Sequence, residues 1–495
     1  MRLSTHIGVV SALAMALLAN GCSNDKITGI NKNPNAPSSV QPALLFPTAV
    51  TDVVGRARGG SLDLTLTSLW AQHIAMDRFT DEDTYSIRSD NINGYWSGFY
   101  AGGLEDLATI LAEDTAATKP NLVAPALVMK SWTYGIMTDL WGDIPYSQAN
   151  KSDPSKPPAY DPQKTIYAGI LSDLKAASDM SVAGGATYGT ADLVYNGDAT
   201  KWKKFANSLR LRYGLRLSKV DPATAQAQVA AAIAAGVFTS NADNALLRWP
   251  GDGTNNSPIY ANFVTRDDQH MSRTLINALK SLYISIGPTP ADTVFDPRLA
   301  VYADPIISSP SKAIYVGAPN GLQDDSAIAI GINNTSRVGI AYRSKTTPSI
   351  LMAYSEVLFD EAEAAARGWA SGDPAALYNA GIQASMEYNG IPDNVTAAYV
   401  ASPRVAYSAS TGLQQIALQR WIALFSEGTE AYSEWRRTGV PDLQPGPAAI
   451  TTPQIVARRL TYPVSEQSFN NAALQAAITE QGGALLTSRV WWDTP

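Results

Sequence analysis

The chain has 495 residues, of which 45% are hydrophobic and 16% charged, and its net charge is −7. That length allows about three domains or one large one, and the acidic balance argues against a nucleic-acid binder, which shows a basic footprint. One cysteine excludes an intramolecular disulfide and a thiolate zinc cluster, three histidines leave little material for histidine metal sites or Ser–His relays, and 11 Trp and 22 Tyr stand against only 10 Phe.

In chain order, Arg2, an apolar run over 7–18 and small residues read as a secretory signal. The run is too short for a spanning helix, which needs about 20 residues. The only cysteine, Cys22, follows Leu18-Ala19-Asn20-Gly21, close to a lipobox, with Ala19 where a leucine is usual. Two readings stand: an acylated cysteine that becomes residue one, or an ordinary signal beside an incidental cysteine. Acylation gives the sole thiol of an exported chain a use. Residues 22–42 read as a tether, because Asn31-Lys32-Asn33-Pro34-Asn35-Ala36-Pro37 favours turns and extended chain.

The remainder, 43–495, reads as one helical scaffold with irregular loops inserted. Helices are expected over about 61–76, 94–114, 120–140, 161–178, 270–285 and 411–430. Between them, Phe205, Leu209, Tyr213 and Leu217 form a stripe, and Asp221-Pro222 starts an alanine-rich helix to Gly236. The design recurs: Leu351, Tyr354, Leu358, Ala362, Ala365 and Trp369 share a face, with Glu356, Asp360, Glu363 and Arg367 between them. Asp373-Pro374 then caps a second helix carrying Leu377, Ala380, Ala384 and Tyr388. Two helix, Asp-Pro, helix units point to stacked hairpins of tetratricopeptide type. Residues 239–269 and 286–347 are rich in Gly, Pro, Asn, Asp and Ser, and long loops of that kind are usually functional.

No HExxH, CxxC, GxSxG or phosphate-cradling loop is present. Acid pairs occur at Asp81-Glu82-Asp83, Glu105-Asp106, Asp139 with Asp143, Asp267-Asp268 and Asp324-Asp325. A glycosidase needs two carboxylates about 5–10 Å apart across a cleft; solvated loop acids are the plainer reading. Clustered loop acids are also the candidates for a structural calcium, although none has EF-hand spacing. Thr138-Asp139-Leu140-Trp141-Gly142-Asp143-Ile144-Pro145-Tyr146 reads as a helix end at Gly142 and a proline-fixed turn. Aromatics on helix faces are core candidates. Those in or beside loops, Tyr85, Tyr95, Trp96, Tyr260, Phe263, Tyr315 and Tyr342, are candidates to stack on a ligand, with Arg78, Asn93 and Arg343 to bind its hydroxyls or amides.

These segments together resemble the SusD/RagB nutrient-binding outer-membrane lipoproteins, in their SusD-like branch. The resemblance runs nearly end to end. It rests on Cys22 and the Asn-Pro tether, on Asn93-Gly94-Tyr95-Trp96, and on Asp139 to Tyr146. It continues through Phe205-Ala206-Asn207-Ser208-Leu209-Arg210-Leu211-Arg212, Asp296-Pro297-Arg298-Leu299, Glu434-Trp435-Arg436-Arg437-Thr438-Gly439 and Arg459-Leu460-Thr461-Tyr462-Pro463. The resemblance implies an all-α fold with four tetratricopeptide-like helix pairs and no catalytic activity. It also implies a lipid anchor at the cell surface, and delivery of an oligosaccharide or peptide to a SusC-like TonB-dependent transporter. Ligand residues vary within that family, so none is carried over. Two other classes remain open on the residues alone: a secreted glycoside hydrolase using a carboxylate pair, and a helical-repeat scaffold or adhesin.

Overall fold

Helical periodicity in the sequence becomes four consecutive helix pairs in a computed structural model that describes residues 41–495, except 114–117, 152–155, 183, 266, 286–292 and 310–312. The leader, Cys22 and the tether up to residue 40 lie outside the described residues. Pro120–Trp141 pairs with Gln163–Met180, Ala199–Arg216 with Pro222–Ala235, Tyr354–Ala366 with Pro374–Tyr388, and Gly412–Ala423 with Gly428–Thr438. The fold is therefore all-α in its scaffold. The Asp-Pro turns act as expected: Asp221 accepts from the Thr224 N–H at 3.2 Å, Asp373 from the Ala375 N–H at 3.0 Å, and each proline sits at the first helical turn. Successive pairs pack through Gln163–Met180 on Ala199–Arg216, Ala199–Arg216 on Tyr354–Ala366, and Tyr354–Ala366 on Gly412–Ala423.

The contact between pairs is not purely apolar. Glu356, Asp360 and Glu363, which the stripe leaves on the polar side, are 1%, 0% and 4% exposed. They meet buried arginines from the neighbouring helices. Arg212 donates to Glu356 at 2.7 Å, and Arg437 to Glu363 at 2.7 Å and to Glu434 at 2.9 Å. Arg216 donates to Glu430 at 2.6 Å, and Arg420 lies 2.6 Å from Asp360, 3.1 Å from Glu356 and 3.2 Å from Glu434. Arg58 and Asp139 extend the array through Glu427 and Arg216 at 3.6 and 3.4 Å.

Carboxyls outnumber guanidiniums in this array, so protons must make up part of the balance. Burial, helped by neighbouring Glu356, pushes Glu427 up to about 8, whereas Arg216, Arg212 and Arg420 overcome burial and hold Glu430 well below the usual range. A carboxyl whose folded pKa is raised binds its proton more tightly when folded, so its contribution falls as pH rises from the ordinary carboxylate range to about 8. Glu427→Gln is expected to flatten the loss of thermal stability between pH 6 and 9, while Glu430→Gln lowers the midpoint throughout. Indistinguishable melting profiles for the two variants would sink this assignment.

Several helix boundaries differ from expectation, each for a visible reason. The 94–114 helix is two, Ser89–Ala101 and Gly103–Ala112. A Cβ at Gly103 would lie 2.6 Å from the Ala49 carbonyl, and the Gly103 N–H is taken by Asp52 at 2.8 Å. The 61–76 segment is a π-helix over Gly60–Thr67 continued by an α-helical turn, Ser68–Trp70, and then a strand, Ile74–Met76. The expected 270–285 helix is Arg273–Ser281, because Gln269–Met271 is a strand paired antiparallel with Ile74–Met76. The 411–430 helix stops at Ala423, and Gly428–Thr438 begins anew, so Glu434 to Thr438 is helical. Gly142 ends its helix with φ +78°, as expected. Among the described residues no helix is long and apolar enough to cross a membrane.

The Ile74–Met76 ribbon gathers the long loops onto the scaffold. His270 also bridges Arg337, and Ser272 bridges Ala318, so both loops are stitched to the segment after the π-helix.

Candidate ligand-binding face

The ribbon ends in a polar tip. Asp77 donates its N–H to the Asp268 carbonyl at 3.0 Å. Arg78, with 40% of its side chain exposed, lies 3.4 Å from the Asp268 carboxylate and 3.6 Å from that of Asp77. Burial pushes Asp77 up to about 6, partly offset by Arg78 and reinforced by Asp268 and Asp267. His270 is fully buried behind it, its Nε2 3.7 Å from Asp77 and its Nδ1 2.7 Å from the Thr335 hydroxyl, and burial lowers its pKa. Phe79 follows, half exposed, with φ +55°. Its N–H is held by Asp324, the first residue of the Asp324–Ile330 helix. A bulky residue in the left-handed region is uncommon, and such strain clusters at functional sites.

From this tip the Tyr260–Thr265 helix leads back to an open cleft of about 460 Å³. It is lined by Gly55 and Arg56 at the end of the Pro42–Ala57 helix, by Gly59, Gly60, Ser61 and Leu62 at the start of the π-helix, by Asp90, Asn91, Gly94, Tyr95 and Phe99 on the Ser89–Ala101 helix, and by Pro258. Two ties set the wide helix in place. Its backbone closes through Leu64 N–H to the Gly59 carbonyl at 3.3 Å, and Asp63 accepts from Ser68 at 2.9 Å and from the Gly428 N–H at 2.8 Å. At Gly60 the Asn262 amide occupies the space a Cβ would fill, so a larger residue there would displace that side chain. The Tyr95 hydroxyl donates to the Ser61 carbonyl at 3.0 Å, which fixes its ring across the cleft, and burial with Glu82 nearby raises its pKa above the ordinary phenol value. The result is an open slot with an oriented tyrosine, the Asp90 carboxylate, the Asn91 amide, the Arg56 guanidinium, the apolar Leu62 and Phe99, and glycine backbone. Such a surface can stack on one face of a ligand and hydrogen-bond its edge.

The candidates from sequence divide accordingly. Tyr95 lines the cleft, Arg78 stands at the ribbon tip, and Tyr260 and Phe263 lie on the Tyr260–Thr265 helix outside the cleft lining. The other six have structural engagements. Trp96 is 4% exposed, with its ring 5.4 Å from Trp141 and 6.0 Å from both Tyr160 and Tyr462. Tyr85 is 3% exposed against Trp70, at φ +70°. Tyr342 is 7% exposed, between Tyr302 and Phe425, and donates to Asn389 at 2.6 Å. Asn93 accepts from the Ser465 N–H at 3.3 Å, in the first turn of the Val464–Phe469 helix. Arg343 donates to the Val338 carbonyl at 2.6 Å and to Asp304 at 2.5 Å. Tyr315 is half-buried, its carbonyl accepting from Lys280 at 2.5 Å. A Trp96→Ala variant is therefore expected to lose about 3–5 kcal/mol of stability through an unfilled cavity. Denaturant unfolding measures it, and a shift under about 1 kcal/mol would contradict the burial.

Sequence reasoning missed Phe79, Asp90 and the glycine wall. An aromatic set among charges in Asp77-Arg78-Phe79-Thr80-Asp81 was the available signal for the first. The Asp139 and Asp143 carboxylates are occupied: Asp139 accepts from Tyr167 at 2.5 Å and Trp492 at 2.7 Å, and Asp143 from the Gln163 N–H at 2.7 Å. Among the described residues no group of three or more His, Cys, Asp or Glu is arranged to hold a metal ion.

Comparison with known proteins places the chain. None of the curated protein sequences matches it. A solved structure of a chitin-binding protein is 31% identical, with TM-score 0.79 over 92% of this chain and 100% of that one. A chitin-binding SusD homolog from Flavobacterium johnsoniae is 26% identical, with TM-score 0.80 over 92% and 98%. A SusD homolog from Bacteroides uniformis shares the fold at 24% identity, with TM-score 0.80 over 92% and 99%. The SusD-like profile described as "Starch-binding associating with outer membrane" matches residues 34–463. On that match, which spans the helical scaffold and the loops that build the cleft, the chain belongs to the SusD-like family.

Proposed function

We propose that this protein captures a glycan in the Tyr95 cleft at the outer surface of a cell and delivers it to a SusC-like TonB-dependent outer-membrane transporter. The family match over residues 34–463 carries the reading, since its description joins starch binding to the outer membrane. The chitin-binding relatives support the same ligand class. Sugar rings present an apolar face and a rim of hydroxyls, which suits one fixed tyrosine beside Asp90 and Asn91. In this reading residues 1–21 are removed and Cys22 is acylated. Two or more acyl chains then anchor the tether without any spanning helix. No bond is made or broken by the protein, and a short peptide is the second ligand class the slot would take.

The test is calorimetric titration of the mature chain with maltoheptaose, chitohexaose and a random hexapeptide mixture. One of the two glycans is expected to bind, and Tyr95→Ala to weaken it by about tenfold or more, as for other aromatic anchors. Turnover of either glycan, or binding of neither, would overturn the proposal. Co-purification with a large barrel protein, lost in Cys22→Ala, tests the delivery step separately.

A further inference from the structure

Helix periodicity sets the charge pattern along the cleft. Positions four apart fall in one row along an α-helix. On Ser89–Ala101 one row is Asp90, Gly94 and Gly98, and the row beside it is Asn91, Tyr95 and Phe99. A Cβ at Gly94 meets nothing within 4 Å, so the first row is a bare channel alongside the tyrosine. Its two ends carry opposite charges. At Gly98 the Arg56 guanidinium lies in the space a Cβ would need, and at the other end the Asp90 carboxylate lines the cleft, about 6 Å along the axis from Gly94.

These charges are not equally free. Arg56 donates through Nε to both oxygens of Asp52, at 2.9 Å each, and its Nη2 lies 2.8 Å from Asp52 Oδ1. Asn91 gives its amide to Glu82 at 3.3 Å, and burial raises that carboxyl while Arg88 offsets part of the rise. The Asp90 side chain has no hydrogen bond or ion pair among the described residues. The cleft therefore holds one uncompensated carboxylate, in a chain whose net charge is −7. An acid in the first turn of a helix stabilises it by facing the dipole, as Asp393 does at the start of Asp393–Val400. Asp90 has the same place on its helix, but it also lines a cavity beside an oriented ring.

We propose that the cleft prefers amino sugars to neutral ones, taking a glycan with free, protonated amines whose ammonium pairs with Asp90 while one ring lies against Tyr95. This preference rests on the glycan reading above and specifies the charge of the ligand. A hydroxyl or an acetamido N–H can also donate to Asp90, which leaves neutral glycans as weaker ligands. An ammonium makes the same contact with charge on both partners, and such bonds are roughly twice as strong. A cation beside a tyrosine ring is drawn to its π-face as well. An acidic chain attracts a polycation at long range whichever carboxylate is present, so the part played by Asp90 is separable by mutation.

Hexamers of glucosamine, N-acetylglucosamine and glucose are titrated by calorimetry into the full mature chain, in mildly acidic buffer where the amines are charged, at low and at high salt. Glucosamine affinity is expected to exceed that of the acetylated hexamer by about fivefold or more, with the gap narrowing as salt screens the pair. Asp90→Asn is expected to remove the preference. Asp393→Asn, the same change at the start of another helix, is expected to keep it. Each variant loses one first-turn charge, and melting curves of both report on the fold. A preference that survives Asp90→Asn, or that Asp393→Asn removes equally, overturns the proposal in favour of general attraction between an acidic chain and a polycation. A glucosamine hexamer bound no tighter than its acetylated form overturns it too, while binding of either neutral hexamer leaves the glycan reading standing. Binding of none of the three overturns both.

Discussion

Replacing Arg420 with alanine is expected to cost about 3–5 kcal/mol of folding stability, the penalty for leaving a buried charge without its partner. Arg420 is 1% exposed and meets four carboxyls, those of Asp360, Glu356, Glu434 and Glu430, at 2.6 to 3.5 Å. Removing it strands Asp360, whose carboxyl burial already pushes well above its usual range and which has Arg420 as its main counterweight. The neighbours cannot relax outward, because Glu356 and Glu434 are 1% exposed and are held by Arg212 and Arg437. Urea denaturation of the mature chain reads the effect. A midpoint within error of wild type would mean that the arginine contributes no net stabilisation and that the array tolerates its loss. Arg56→Ala is the contrast: its pair with Asp52 is half exposed and worth at most about 1 kcal/mol.

The same array marks the limit of what the sequence disclosed. Spacing in 205–217 placed a helix and a buried face, and spacing in 351–369 placed the Tyr354–Ala366 helix but ran past both its ends. Leu351 lies on the Ser349–Met352 strand paired with Ala245–Leu247, and Trp369 lies in the turn beyond the helix. Spacing could not show that the other face is buried too, because a charge between apolar positions has the same pattern whether it meets water or an arginine on the next helix. Asp221-Pro222 and Asp373-Pro374 were legible because capping is local. The break at Gly102–Gly103 was not, since the residues that force it, Ala49 and Asp52, lie about fifty positions earlier. Of the loop-flanking candidates, Tyr95 lines the cleft, whereas Arg78 lies at the ribbon tip. Trp96 was misplaced by one step of a helix: 100° of rotation carries it from the cleft to the packed side.

Filling the cleft has the largest effect on binding. Gly94 sits inside the Ser89–Ala101 helix and lines the slot, and a Cβ added there meets nothing within 4 Å. Gly94→Trp is expected to cut glycan affinity by about a hundredfold or more, roughly 2.7 kcal/mol, because the indole takes the place of the sugar. Gly94→Ala is expected to keep binding and to gain roughly 0.5–1 kcal/mol of stability, since glycine weakens a helix interior by that amount. Calorimetry and thermal melts on the pair separate a blocked site from a damaged fold. Undiminished binding in the tryptophan variant would place the ligand elsewhere.

The buried arginines and carboxyls have one more consequence under the proposed export of the chain, which would cross a membrane unfolded before it folds. The Pro120–Trp141 helix spans 22 residues, long enough to traverse a bilayer, yet it carries Lys130 and Asp139; Ala199–Arg216 carries Arg210, Arg212 and Arg216 along its length. Each such charge at the middle of a segment opposes lateral release into lipid by about 2.5–3.5 kcal/mol. A core built of leucine alone would supply several stop-transfer signals. Under that proposal, helices joined by ion pairs that neutralise one another only after folding leave such segments fit for passage through an export channel and still close a dry interior on the far side.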